Sequence, residues 1–206
     1  MMRSITYLWV LSPVMVLLSA CSDAPKTVEQ KQPPKPPEAL TGRQAFQQMY
    51  PQARGWAPDA QPLQIRSVNL PQVKGGKGKS GGWQVVFVSA SRGKAKTYTY
   101  SAVEADGNLH QGVFGGSEED YTPRGDSSPF PIAAIKVDSD EAYNTAAEKS
   151  ADYIQKNPDK PVMFLMELSR RFPDVTWRVV WGDTVGTSDY SVFVDGTTGT
   201  YLEKMH

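Results

Sequence analysis

Trp177-Arg178-Val179-Val180-Trp181, then Asp189-Tyr190-Ser191-Val192-Phe193-Val194 and the turn Asp195-Gly196-Thr197-Thr198-Gly199, decide how this chain folds. Both apolar stretches repeat with a period of two. Trp177, Val179 and Trp181 therefore share one face of a strand while Arg178 points away, and Tyr190, Val192 and Val194 align in the same manner. Upstream, Ser139 to Lys156 reads as a helix. Asp138 followed by Glu141 makes a capping-box-like start, and Tyr143, Ala146, Ala147, Ser150 and Ile154 fall on one face. Asn157-Pro158 ends it, because the residue before a proline avoids the α region. A strand from Pro161 to Ser169 completes the set.

Working outward, the same order of signals occurs earlier in the chain. Arg43 to Tyr50 is a shorter helix, expected to stop at Pro51. Pro62 to Leu70 is a strand, Trp83-Gln84-Val85-Val86-Phe87-Val88 repeats the Trp-x-Val pattern, and Tyr98 and Tyr100 align on the strand after it. Asp106-Gly107 turns into a last strand. The expectation is an α+β protein of two tandem units, each one helix and a four-stranded antiparallel sheet. They cover residues 40–116 and 131–206, with a linker at 117–130. Each helix should lie across its unit's aromatic face, which makes the tryptophans core.

The second unit resembles a PepSY domain, through Trp177-x-Val179, Tyr190-x-Val192-x-Val194-Asp195, and Thr198-Gly199 before Tyr201-Leu202. The resemblance spans residues 137–205. The first unit matches it more loosely, through Trp83-x-Val85 and Tyr100, and lacks the Val-Asp-x-x-Thr-Gly ending. The resemblance implies one helix against a curved antiparallel sheet, a PepSY, cystatin-like fold. PepSY domains occur in propeptides of secreted metalloproteases and in envelope proteins, where peptidase inhibition has been proposed. It transfers no fixed inhibitory residue to this chain.

Residues 1–20 read as a lipoprotein signal peptide, with Arg3 at its start, an apolar run from Ile5 to Leu18, and Leu18-Ser19-Ala20-Cys21 resembling a lipobox. A spanning helix needs about 20 apolar residues, and this run is shorter and contains Pro13. Cleavage between Ala20 and Cys21 would leave Cys21 for lipid attachment and the membrane as first partner. Ser22, rather than an aspartate, follows the cysteine, which leans toward the outer membrane of a two-membrane cell, facing the periplasm. Cys21 is the sole cysteine, so the fold cannot rest on disulfides. Residues 22–39 are polar and proline-rich, a tether that would reach about 50 Å if stretched.

Lys and Arg total 22 against 22 Asp and Glu, so no basic excess points to nucleic acid. The chain has two histidines, one of them His206 at its end, and no nucleophile elbow or zinc-ligand spacing. No cofactor or metal is expected. Gly75 to Gly82 contains Gly-Lys-Ser but has Val73 where a phosphate loop needs glycine, and Trp83 opens a strand rather than a helix. It reads as a flexible basic hairpin loop. Glu118-Glu119-Asp120 reads as a solvated charge run, and Arg124-Gly125-Asp126 as a chance tripeptide. Asp195 and Thr198 are accounted for by turn chemistry.

These observations favour a non-catalytic module that binds an envelope protein or peptide. A peptidase inhibitor, a structural accessory and an enzyme without a recognisable motif stand as alternatives. Strand alternation puts Val86, Val88, Val180 and Phe193 on the faces the helices do not cover. Such apolar groups should be covered, by the two units packing together or by a partner, since each large side chain left in water forgoes about 1.5–3 kcal/mol.

Overall fold

The computed structural model describes residues 37–205 apart from 108 and 124. A two-residue strand β1 (Leu40–Thr41) leads into α1 (Gly42–Trp56), followed by β2 (Gln61–Val68), β3 (Lys79–Ser80), β4 (Gly82–Ser89), β5 (Lys94–Ser101) and β6 (Gly112–Asp120). After β7 (Ser127–Ser128) and a 3-10 turn (Ile132–Ala134) come α2 (Ser139–Lys149), α3 (Ala151–Lys156), β8 (Val162–Ser169), β9 (Thr176–Trp181), β10 (Tyr190–Asp195) and β11 (Tyr201–Met205). The long strands form one antiparallel sheet in the order β11-β10-β9-β8-β2-β4-β5-β6, with β7 pairing on β8 outside that path. The fold is therefore mixed helix and antiparallel sheet.

The seam of the sheet is β2 against β8, where Arg66 lies opposite Leu165 and the Phe164 N–H donates to Ser67 Oγ at 2.9 Å. On one side of it lie β4, β5 and β6 with α1, and on the other β9, β10 and β11 with α2 and α3. The halves thus meet edge to edge and share a sheet instead of stacking face to face. Their helices cover one face, over a common core that includes Phe46, Met49, Trp83, Phe87, Phe164, Trp177 and Trp181.

The two tryptophans of the Trp-x-Val patterns are fully buried and meet edge to face with ring centroids 6.4 Å apart. Each indole N–H donates to the carbonyl just before a helix cap: Trp83 to Leu40 at 2.9 Å, and Trp177 to Val137 at 3.0 Å. The rings therefore pin both helix starts to the sheet. Gly42 opens α1 between them, and a Cβ there would lie 2.8 Å from Trp177 and 3.2 Å from Trp83.

The helix starts are joined by one carboxylate. Asp138 accepts from its neighbour Ser139 N at 2.7 Å, from Arg43 N at 2.9 Å and from Thr41 Oγ1 at 2.7 Å. It faces both amino termini, where the helix dipoles favour an anion. Asp138 is the N-cap of α2 as expected, but the reciprocal capping box belongs to α1, between Thr41 and Gln44, and not to Asp138 and Glu141. The Asp138 carboxylate is instead shared with the neighbouring helix start, which local spacing does not reveal.

Four further expectations are corrected. Pro51 does not end α1, which continues to Trp56. Phe46, Met49 and Ala53 are buried on both sides of the exposed proline, so packing outweighs the backbone bond it removes. The helix from Ser139 breaks at Ser150, whose hydroxyl pairs with Tyr190 OH at 3.1 Å inside the core. The stretch read as linker supplies the end of β6, all of β7 and the buried Phe130. The Gly75–Gly82 segment is not a loose loop. β3 pairs with β1, the Gly78 carbonyl accepts from Ser139 Oγ at 2.5 Å, and a Cβ on Gly78 would sit 2.1 Å from Asp140 Cα. With φ of +86° this glycine serves both the turn and the close approach.

Candidate functional site

The helix-free face of the sheet is where the two halves differ. Backbone register lines up a single row across all eight strands: Phe114, Thr99, Gln84, Arg66, Leu165, Arg178, Phe193 and Glu203. Pleating places every member on the side opposite Trp83 and Trp177. The row can be read from each end toward the seam.

In the second half the row is closed by the protein's own loops. Phe193 is 8% exposed. Phe172, from the β8–β9 connection, packs on it at 5.2 Å, while the guanidiniums of Arg171 and Arg178 lie 5.0 and 5.2 Å from its ring centre. Arg171 also pairs with Glu203 on the edge strand, and Arg178 Nε donates to Ser191 Oγ at 3.1 Å. Val180 is fully buried, clustered with Met163 and Leu165 under Val185 of the β9–β10 connection. Apolar atoms and cation–π contacts thus satisfy this surface internally.

In the first half the corresponding row is open. Thr99, Gln84, Val86 and Thr97 are half-buried and Arg66 is exposed. Phe114 is 42% exposed, the sole large hydrophobic residue so exposed among the described residues. Arg66 Nε donates to Gln84 Oε1 at 2.6 Å, which ties the two side chains together along the row. The β4–β5 connection is a short turn at residues 90–93, so no loop from there returns over the shelf. Val88, on the same face nearer that turn, is buried. At the seam the shelf meets a groove of about 630 Å³, with Arg66 and Asn69 on one side, Met163 and Leu165 as apolar floor, and Asp183 and Val185 as the far wall.

Of the residues singled out in the sequence, Val180 and Phe193 lie on the covered half, and Val86 lies on the open shelf. Ala20 and Cys21 lie outside the described residues, as does Arg124. The sequence reading missed Arg66 and Phe114 on the shelf, and Arg171 and Phe172 on the cover. The available signal was the contrast between polar Gln64, Arg66 and Thr99 and the apolar residues at the matching second-half positions, Met163, Leu165 and Phe193.

The remaining polar clusters have structural partners. Asp59 accepts from Ser89 Oγ at 2.6 Å and Ser91 N at 2.9 Å, and these bonds hold its carboxyl at about 2, too acidic for a general base near neutrality. Glu118 accepts from Trp56 Nε1 at 2.6 Å and from Arg92 at 3.0 Å, which lowers its pKa, the indole bond first. Asp120 pairs with Lys94 at 2.7 Å. Glu118 and Asp120 are therefore tied along the sheet edge. His110 Nδ1 lies 2.6 Å from Glu104 and its ring 4.7 Å from that of Phe114. Lys160, Tyr153 and Asp189 form an exposed cluster in which hydrogen bonding to Asp189 raises the lysine pKa. That direction suits an ion pair, not a nucleophilic amine. Asp195 Oδ1 accepts from Thr197 N and Thr198 N at 2.7 and 2.8 Å, closing the final turn. Among the described residues, no three His, Cys, Asp or Glu side chains come together as a metal site, and no helix is long and apolar enough to cross a membrane.

Fold and face together define a mixed α+β protein that presents a half-open antiparallel sheet. Neither a family model, a curated protein nor a solved structure matches the chain.

Proposed function

We propose that the protein is a lipid-anchored, non-catalytic module of the bacterial cell envelope that binds a protein or peptide on the open half of its helix-free face. The observation that carries this reading is the inequality of the two halves of that face. One sheet covers its second-half row with Arg171, Phe172 and Val185, and leaves Phe114, Thr99, Gln84 and Arg66 uncovered. The shelf ends in the seam groove, where an apolar floor beside an exposed arginine suits a side chain of a bound segment.

In this reading the anchor is Cys21, lipidated after cleavage behind Ala20, and residues 22–39 hold the folded region off an outer-membrane surface facing the periplasm. The folded region is two PepSY-like, cystatin-like units fused through their first strands. Support for duplication comes from the repeated order of helix and strands and from the matched indole bonds of Trp83 and Trp177. The lipobox and tether are read from sequence alone.

Photo-crosslinking residues placed at Thr99 or Phe114, and at Ser191 as control, test the binding face in growing cells. A discrete protein adduct from the shelf positions and none from Ser191 is expected. Equal adducts from both halves, or none from either, would remove the shelf from consideration.

A further inference from the structure

The open shelf has a definite length, and apolar anchors stand at its two ends. Exposed Phe114 marks the outer end on β6, and the seam groove, floored by Met163 and Leu165, marks the inner one. Between them the register runs Phe114, Thr99, Gln84, Arg66, Leu165, which is four strand-to-strand steps. At about 4.8 Å per step the anchors lie about 19 Å apart. An extended peptide rises about 3.3 Å per residue, so residues about six positions apart cover that distance. An even separation also turns both side chains to the same face of the segment. Arg66 is three steps from Phe114, about 14 Å, which an extended segment covers in about four residues. A chain that uses both anchors therefore crosses the strands instead of adding to a sheet edge.

Charge decides what lies between the anchors. Four charged groups surround the groove end, two of each sign. Glu167 accepts from Ser127 Oγ at 2.7 Å and from Gln64 Nε2 at 3.4 Å, and its charge acts on Arg178 beside it. Arg66 and Asp183 are left, on opposite sides of the apolar floor. Arg66 commits Nε to Gln84, and its terminal nitrogens meet no acceptor among the described residues. Total charge is therefore balanced, and position selects. A carboxylate fits the free fork of Arg66, whereas Asp183 turns a second acid away from the groove and leaves the floor to an apolar side chain.

We infer, resting on the shelf as the binding face, that its partner is an extended peptide segment with two large apolar residues about six positions apart and an acidic residue between them. One apolar side chain packs on Phe114 and the other enters the seam groove. The acid lies over Arg66, two positions from the groove anchor, and Thr99 and Gln84 face the peptide groups in between. The test follows methionine and leucine methyls by NMR in the full-length protein, titrated with Ac-Phe-Ser-Ser-Ser-Glu-Ser-Leu-NH2 and with the same residues in reverse order. Saturable shifts at Met163 and Leu165 are expected with one direction or both, with buried Met49 unmoved. Glutamine in place of the peptide's glutamate should weaken binding about fivefold, the size of a half-exposed ion pair, and Arg66→Ala should abolish that difference. Deleting two serines, which draws the anchors together, should weaken binding about tenfold through loss of one buried anchor, and Phe114→Ala should remove that dependence on spacing. No saturable shift with either peptide, equal binding of the glutamate and glutamine forms, or equal binding at both spacings would overturn the inference. Crosslinks from Thr99 or Phe114 alongside equal affinities would keep the shelf and overturn the motif, whereas absent crosslinks would overturn both.

Discussion

Positions that match across the seam have opposite fates. Val86 and Val180 each follow a Trp-x-Val tryptophan by three residues, yet Val180 is fully buried and Val86 is half-exposed. Thr99 and Phe193 occupy equivalent places one strand further out. The difference lies in the connections. In the first half the β2–β4 connection folds toward the helix starts, where Gly78 meets α2, and the β4–β5 turn is short. In the second half the β8–β9 and β9–β10 connections both fold back over the helix-free face, bringing Phe172 and Val185. One strand pattern can therefore yield a closed face or an open one, and loop destination decides which.

The sharpest way to break this comparison is at the glycine on which the first-half connection depends. Gly78→Ala should cost about 3 kcal/mol, from a Cβ driven into the backbone of Asp140 and a left-handed φ. Gly93→Ala, at φ +61° but with open space around it, should cost only about 1–2 kcal/mol. Chemical denaturation of both variants measures the gap. Equal losses would show that the Gly75–Gly82 segment is not packed on α2.

Val180→Ser should destabilise by about 2–3 kcal/mol, because it removes buried methyl groups and leaves a hydroxyl under Val185. Val86→Ser should cost less than about 1 kcal/mol, since water already reaches that side chain. Arg171→Ala should lie between them at about 1 kcal/mol, through its cation–π contact and its pairing with Glu203. Thermal unfolding of the three variants ranks them, and a reversed order for the two valines would dissolve the contrast.

A smaller effect concerns Asp59, in the α1–β2 connection, whose carboxylate accepts from the β4–β5 turn. Its carboxyl is lowered from 3.8 to about 2, first by the Ser89 hydroxyl bond and then by the Ser91 N–H. A depressed carboxylate contributes stability that is present above its unfolded value and is lost as pH falls from about 3.8 through about 2. In Ser89→Ala the carboxyl resonance of Asp59 should titrate nearer its ordinary value, and that acid-side dependence should shrink. A titration midpoint unchanged by the substitution would reassign the cause.

Much of the fold was legible in the sequence because its strands alternate strictly. Trp83, Val85 and Phe87, and Trp177, Val179 and Trp181, announced their buried face, and both tryptophans are core. What stayed hidden is carried by long-range contacts. Pro51 inside α1, Asp138 shared between two helix starts, and Gly78 against Asp140 each depend on a neighbour distant in sequence. The candidate shelf was half legible. Alternation identified the helix-free face, but nothing local to Arg171-Phe172 or Val185 says that these residues fold over one half only.

The direct measurement is thiol labelling of the folded protein with a single cysteine at Val86 or at Val180, in a Cys21→Ala background. The account predicts that Val86→Cys reacts with maleimide at rates near those of an accessible thiol, whereas Val180→Cys reacts only as fast as the protein opens. Comparable rates at the two positions under native conditions would contradict it.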